Sequence, residues 1–102
     1  MDEETLRKRD RLLSLFGEYG PLLSDSQREV FHDYYECDLS LSEIAEGRGI
    51  SRAAVEDALR KSERKLLSFE EKLHLLEKKE TLLSLADKRD IEAVKEYINH
   101  GI

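Results

Sequence analysis

Neither glycine nor proline interrupts the chain between Ser51 and Asp87. The stretch is rich in Leu, Lys, Glu and Arg, all good helix formers. About thirty residues of helix span roughly 45 Å, too long to pack wholly inside a small domain. The segment is therefore one very long helix, or one with a kink. Leu59, Leu66 and Leu73 recur every seven residues, and Phe69, Leu76 and Leu83 form a second such series offset by three. Together they make an a/d seam, interrupted near its ends by Ser62 and Glu80. One chain offers limited apolar surface to cover so long a stripe. The stripe can pack on the first helix, fold back against the last, or meet its copy in a dimer; the expectation is a homodimer with Leu59, Leu66, Phe69, Leu73, Leu76 and Leu83 at its interface.

The rest of the chain is helical as well. Of 102 residues, 17 are Leu, only three are Val and five are Ile, and there is one proline. An all-α fold follows, of a size usual for one domain. Leu12, Leu15, Phe16 and Tyr19 mark one face of a helix over Glu3–Tyr19, which Gly20-Pro21 ends. Ser24 with Gln27, and Ser40 with Glu43, have capping-box spacing. The first box opens a helix to about Glu36 with Val30, Phe31, Tyr34 and Tyr35 on its apolar side. The second opens a brief helix, Leu41 to Glu46, broken at Gly47-Arg48-Gly49. A final helix over Asp90–Asn99 carries Ile91, Val94, Tyr97 and Ile98 on one face, with Gly101 as its stop. The domain organisation expected is a helix-turn-helix domain over residues 1–65 and a C-terminal helical arm over 66–102 that serves dimerisation.

Leu41 to Leu59 carries the functional signal. Ala45 is small where two helices must approach closely. Gly49, four residues on, suits a tight turn with positive φ. Ile44, Ile50, Val55 and Leu59 are spaced to pin the helices from inside, and Ser51 caps the second helix. These are the demands of a helix-turn-helix, here with a three- to four-helix core and no wing. In that motif the N-terminal side chains of the second helix meet base edges in the major groove. Arg52, Ala53, Glu56 and Asp57 face outward there. Arg suits a guanine edge, and a carboxylate can accept from cytosine N4. Arg60, Lys61, Arg64 and Lys65 follow as a basic run for phosphates. The alternative for that face is solvated i,i+4 pairing, Glu56 with Arg60 and Asp57 with Lys61.

Charge divides unevenly. The whole chain carries −6, which argues against indiscriminate polyanion binding. Asp25 to Glu46 holds a net −6, whereas Ser51 to Lys65 holds a net +2. Binding through the second helix is thus permitted but salt-sensitive. The competing reading is a protein-interaction module whose acidic face docks a basic partner.

The stretch from Leu22 to Leu76 resembles the YlxM family of small bacterial helix-turn-helix proteins, and more broadly region 4 of sigma factors. Its most specific parts are Tyr34-Tyr35, Leu41-Ser42-Glu43-Ile44-Ala45-Glu46, Ile50-Ser51-Arg52, Ala54-Val55, Asp57 and Phe69-Glu70-Glu71-Lys72-Leu73-His74-Leu75. The resemblance implies a cytoplasmic bacterial protein that binds DNA and is linked to the signal recognition particle pathway, so DNA or structured RNA and components of that particle are the expected partners.

Other features point away from catalysis and metal binding. His32, His74 and His100 lie far apart, and no Cys/His pair has metal-ligand spacing, so no metal or cofactor is expected. Cys37 is the one cysteine. It cannot form an internal disulfide, which suits a reducing cytoplasm. Glu36 and Asp38 beside it disfavour a thiolate, so a partly buried structural thiol is expected. Tyr34-Tyr35 could stack bases but has helical core spacing with Val30 and Phe31. No nucleophile elbow, P-loop or zinc-protease motif occurs, and no enzyme is expected. No apolar run approaches the roughly 18 residues of a membrane span, and the N-terminal residues lack an apolar signal stretch.

Overall fold

Asp2 opens the first helix, α1 (Glu3–Tyr19), by accepting the Thr5 N–H at 2.7 Å. The computed structural model describes residues 2–101, all of whose regular structure is helical. A single 3₁₀ turn, Gly20–Leu22, carries Pro21 where its missing N–H costs nothing. Helix α2 (Asp25–Phe31) starts at the Ser24/Gln27 capping box and passes into a π-helical turn, His32–Glu36. Helix α3 (Leu41–Arg48) starts at the Ser40/Glu43 box. Helix α4 (Arg52–Leu73) follows, then α5 (Leu75–Asp87) and α6 (Ile91–Gly101). Among these residues no helix is long and apolar enough to cross a membrane.

Helix α4 is the spine against which α1, α2 and α3 all pack. Two apolar clusters form along it. One gathers Leu12, Leu15, Tyr19, Leu23, Phe31, Leu66 and Leu76. The other gathers Val30, Ile44, Val55 and Leu59 under the helix-turn-helix. Tyr35 packs against both and joins them. The Phe16 and Phe31 rings stack at 4.4 Å, and Phe31 meets Tyr35 at 4.5 Å.

The leucine series is divided by this packing. Leu59, Leu66 and Leu76 are buried within one chain, and Phe69 is half-buried against the first cluster. Leu73 and Leu83 remain exposed. The expected dimer seam is thus largely consumed by α1 and α2, which cover α4 from the same chain. Leu66 and Leu76 share a core with Leu12 and Leu15, so residues on both sides of position 65 build one cluster. Ser62, which interrupts the heptads, is fully buried and faces α2. Its hydroxyl donates to the Ala58 carbonyl at 2.7 Å and reaches the Gln27 carbonyl at 3.4 Å.

No glycine or proline ends α4, yet it stops at Leu73. His74 adopts a left-handed conformation (φ 54°) and α5 begins at once. The cause is a buried carboxylate. Glu70 is 7% exposed. Its Oε1 accepts the Tyr19 hydroxyl at 2.5 Å and the Leu76 N–H at 3.1 Å, and its Oε2 accepts the Glu77 N–H at 3.1 Å. The Tyr19 oxygen in turn accepts the Leu75 N–H at 3.0 Å. The first three N–H groups of α5 are therefore satisfied by side chains of α1 and α4. The N-terminal partial positive charge of α5 faces a carboxylate, and Arg11 lies 3.8 Å from the other side of that carboxylate.

Burial alone would raise the Glu70 carboxyl. The Tyr19 hydroxyl, the two backbone N–H groups and Arg11 outweigh it and hold the group below its ordinary 4.5. Tyr19 is raised, first by burial and then by its bond to Glu70. Because the folded value of Glu70 is depressed, its contribution is complete above 4.5 and is lost as pH falls through the folded value. Glu70→Gln should therefore cost about 1–3 kcal/mol at neutral pH. Urea denaturation followed by circular dichroism at descending pH should show the gap between parent and variant closing through the carboxylate range.

Candidate nucleic-acid interface

Local chemistry specifies the helix-turn-helix. The Ser40 hydroxyl accepts the Glu43 N–H at 3.0 Å, and the Glu43 carboxylate accepts the Ser40 N–H at 3.0 Å. Helix α3 runs two residues beyond the expected end, through Gly47 and Arg48, and Gly49 closes it with φ 66°. The Ile50 N–H returns to the Ala45 carbonyl at 3.0 Å and the Gly49 N–H to Glu46 at 3.4 Å. This is the paired closure of a Schellman turn, which needs a left-handed residue where Gly49 stands. Ser51 then caps α4 by accepting the Ala54 N–H at 3.0 Å.

Of the four expected pins, Ile44, Val55 and Leu59 are buried, with half-buried Ala45 packed against them. Ile50 is not a pin: it is 39% exposed, because the Schellman turn carries it past the end of the helix and out of the core.

Every proposed contact residue is exposed: Arg52, Ala53, Glu56, Arg60, Lys61 and Arg64. At 100° per residue, Arg52, Ala53, Glu56 and Arg60 lie within one quadrant or so at the N-terminal end of α4. The internal pairing differs from the simple i,i+4 expectation. Glu56 turns back to Arg52, 3.5 Å away, instead of forward to Arg60. Asp57 binds both Lys61, at 2.9 Å, and Arg60, at 3.3 Å. The Lys61 bond is the main reason the Asp57 carboxyl titrates below its ordinary value, with Arg60 adding to it. Arg64 forms no ion pair among the described residues, and Lys65 donates to the Gln27 amide oxygen at 3.0 Å.

The acidic face is more occupied than its composition suggests. Arg48, at the end of α3, donates to Asp33 at 2.6 Å and to Glu29 at 2.8 Å, tying the motif to α2 and the π turn. Arg9 of α1 donates to the Tyr35 carbonyl and to Asp38, the latter at 2.8 Å. These clamps join residues 15 to 29 positions apart, and no local spacing announces them. The tyrosine pair is committed as well. Tyr35 lies between Phe31 and the Arg9 guanidinium with its hydroxyl donating to Glu63, and Tyr34 meets it edge-on at 4.9 Å. Both rings are half-buried and pack against the apolar clusters.

Cys37 is exposed, not partly buried, because the π turn carries it out of the helix and over His32. His32 meets Glu36 at 2.8 Å and the thiol at 3.3 Å. Among the described residues no three His, Cys, Asp or Glu side chains gather as a metal site.

A helix-turn-helix protein is what this architecture defines. A family model described as "Putative helix-turn-helix protein, YlxM / p13 like" matches residues 6–100. The chain is 44% identical over 91 residues to a UPF0122 protein of Mycoplasma capricolum, spanning 89% of this chain and 80% of that one. It is 44% identical over 84 residues to a UPF0122 protein of Thermoanaerobacter sp. (strain X514), with 80% and 72% covered. A UPF0122 protein of Lactococcus lactis is 47% identical over 70 residues, with 69% and 63% covered. The chain belongs to the UPF0122 (YlxM/p13-like) family.

A Cβ at Gly49 would meet nothing within 4 Å, so the cost of substitution there is purely conformational. Gly49→Ala should lower stability by about 1–2 kcal/mol. Thermal unfolding of the variant checks this, and an unchanged midpoint would show that the turn tolerates the residue.

Proposed function

We propose that the chain binds nucleic acid through the N-terminal half of α4 and acts as a regulatory protein. The observation that carries this reading is the capped, exposed start of α4, where Arg52, Ala53, Glu56 and Arg60 share one outward face. Arg52 reads a base, with Ala53 and Glu56 beside it. Arg60, Lys61 and Arg64 neutralise phosphates of duplex DNA or of a structured RNA. The family resemblance supports an association with the signal recognition particle in the cytoplasm. The reading includes a homodimer, which would supply the two-fold symmetry of paired half-sites, with the start of α4 as the binding surface and the arm beyond position 65 as the pairing element even though its Leu66 and Leu76 share the core of residues 1–65.

Asp57 sets the strength of this surface. It holds two of the three phosphate-facing cations, so the free protein meets a polyanion with its charge partly spent on itself. The docking of a basic protein on the acidic face has less support, since Arg48 and Arg9 already engage Glu29, Asp33 and Asp38.

Fluorescence anisotropy against duplex DNA and structured RNA, at low and moderate salt, tests the reading. Arg52→Ala should cost about 1–3 kcal/mol of discrimination between sequences. Arg60→Ala should weaken all sequences alike and reduce the salt slope by about one. Asp57→Asn should do the opposite, tightening all sequences by freeing Arg60 and Lys61. If all three variants bind as the parent does at low salt, the surface is assigned wrongly.

A further inference from the structure

Cys37 does not stand alone on the surface. Its Sγ lies 3.3 Å from His32 Nε2, and His32 Nδ1 lies 2.8 Å from Glu36 Oε1. The bond to the Glu36 carboxylate keeps the ring proton on Nδ1 and leaves the Nε2 lone pair toward the thiol. A nucleophile within reach of a base, with the base oriented by a third group, is the arrangement that activates a weak nucleophile.

The π-helical turn builds it. In an α-helix a residue five positions on is rotated by about 140° from the first. Here the Cys37 N–H donates to the His32 carbonyl at 3.0 Å, and this i→i+5 bond sets the thiol over the ring. The turn is held in place. Tyr35 and Leu39 pack on the core, the Leu39 N–H returns to the Asp33 carbonyl at 3.1 Å, and Arg9 clamps the Tyr35 carbonyl and Asp38. The two acids that flank Cys37 in sequence are both engaged, Glu36 with His32 and Asp38 with Arg9. The thiol is exposed, so a reagent reaches it and an adduct on it displaces no core side chain.

We propose that Cys37 is a modification site whose thiol, with His32 as its base, exchanges with small disulfides, those of neutral or cationic aminothiols first. His32 Nε2 takes the thiol proton as Cys37 Sγ attacks one sulfur of the disulfide. A bond from Cys37 to that sulfur forms, the reagent's own S–S bond breaks, and the departing thiolate takes the proton from His32. The Cys37 sulfur is oxidised and the departing sulfur reduced, so the products are one mixed disulfide and one free thiol. Glu36 is a positioning residue that acts through the imidazole. Charge selects the reagent. The Asp25–Glu46 segment carries −6, and the two arginines outside it that pair with its acids, Arg9 and Arg48, reduce this only to −4. That field repels an anionic disulfide and draws a cationic one.

The test is stopped-flow mixing of the full chain with cystamine, a dication, or dithiodipropionate, a dianion, each rate being divided by that of a small neutral thiol under the same conditions. Intact mass should show one half-disulfide added per chain. The parent should react with cystamine about tenfold or more faster than the reference thiol. Its normalised rate should be several-fold higher for cystamine than for dithiodipropionate at low salt, with the gap closing at about 1 M salt. His32→Ala should lose most of the enhancement and regain it on addition of free imidazole at fixed pH, a response that a merely structural histidine does not give. Glu36→Ala should slow the reaction, and Glu36→Gln, which keeps an acceptor for Nδ1–H, should restore most of the rate; equal rates in the two remove Glu36 from its role. A parent no faster than the reference thiol, a normalised rate indifferent to the charge of the reagent, or a His32→Ala rate that equals the parent's or does not respond to imidazole overturns the proposal. The measurements on the parent decide it even should a variant not fold.

Discussion

One buried carboxylate organises the molecule. Glu70 sits where α1, α4 and α5 meet, and its two oxygens take the Tyr19 hydroxyl and two backbone N–H groups of α5. A buried charge is tolerable only when it is paired and hydrogen-bonded, and here every buried side-chain polar atom among the described residues has a partner. The consequence is architectural. Without this anchor the Leu, Lys and Glu content of the segment would favour continuous helix past His74. With it, α5 starts afresh, Leu76 enters the core beside Leu12 and Leu15, and the arm takes a defined direction.

The helix-turn-helix depends on the same spine but is specified more locally. Its caps and its Gly49 turn are backbone arithmetic within a dozen residues. What differs is the electrostatic state of the outward face. Asp57 and Glu56 draw Arg60, Lys61 and Arg52 into pairs on the helix surface. Exposed pairs of this kind contribute little stability and are screened by salt, so phosphates can displace them. The surface is thus largely self-neutralised at rest.

Several features are legible in the sequence. Both complete capping boxes, the Ser51 cap, the Gly49 turn and the all-helical content follow from residues three to five apart, and the structure has them all. The departures have a common origin. Local spacing places Ile50 inward, but the turn points it out. Local spacing gives Cys37 partial burial, but a π turn, which has no short-range signature, exposes it. The heptads offer Leu59, Leu66 and Leu76 to a partner, but the chain's own helices cover them. The Arg48 and Arg9 clamps carry no local signal, since they join segments distant in sequence.

The sequence by itself determined where helices begin, which short turn joins α3 to α4, and which side chains stand at the exposed start of α4. These rest on hydrogen bonds and conformational preferences that act within one or two turns of chain. Only the tertiary structure decided where the long leucine-rich segment breaks and which part of its stripe is already covered. Both depend on Glu70 meeting Tyr19, 51 residues away, and on α1 and α2 lying against α4. A heptad pattern states that a stripe must be buried; it does not state by what.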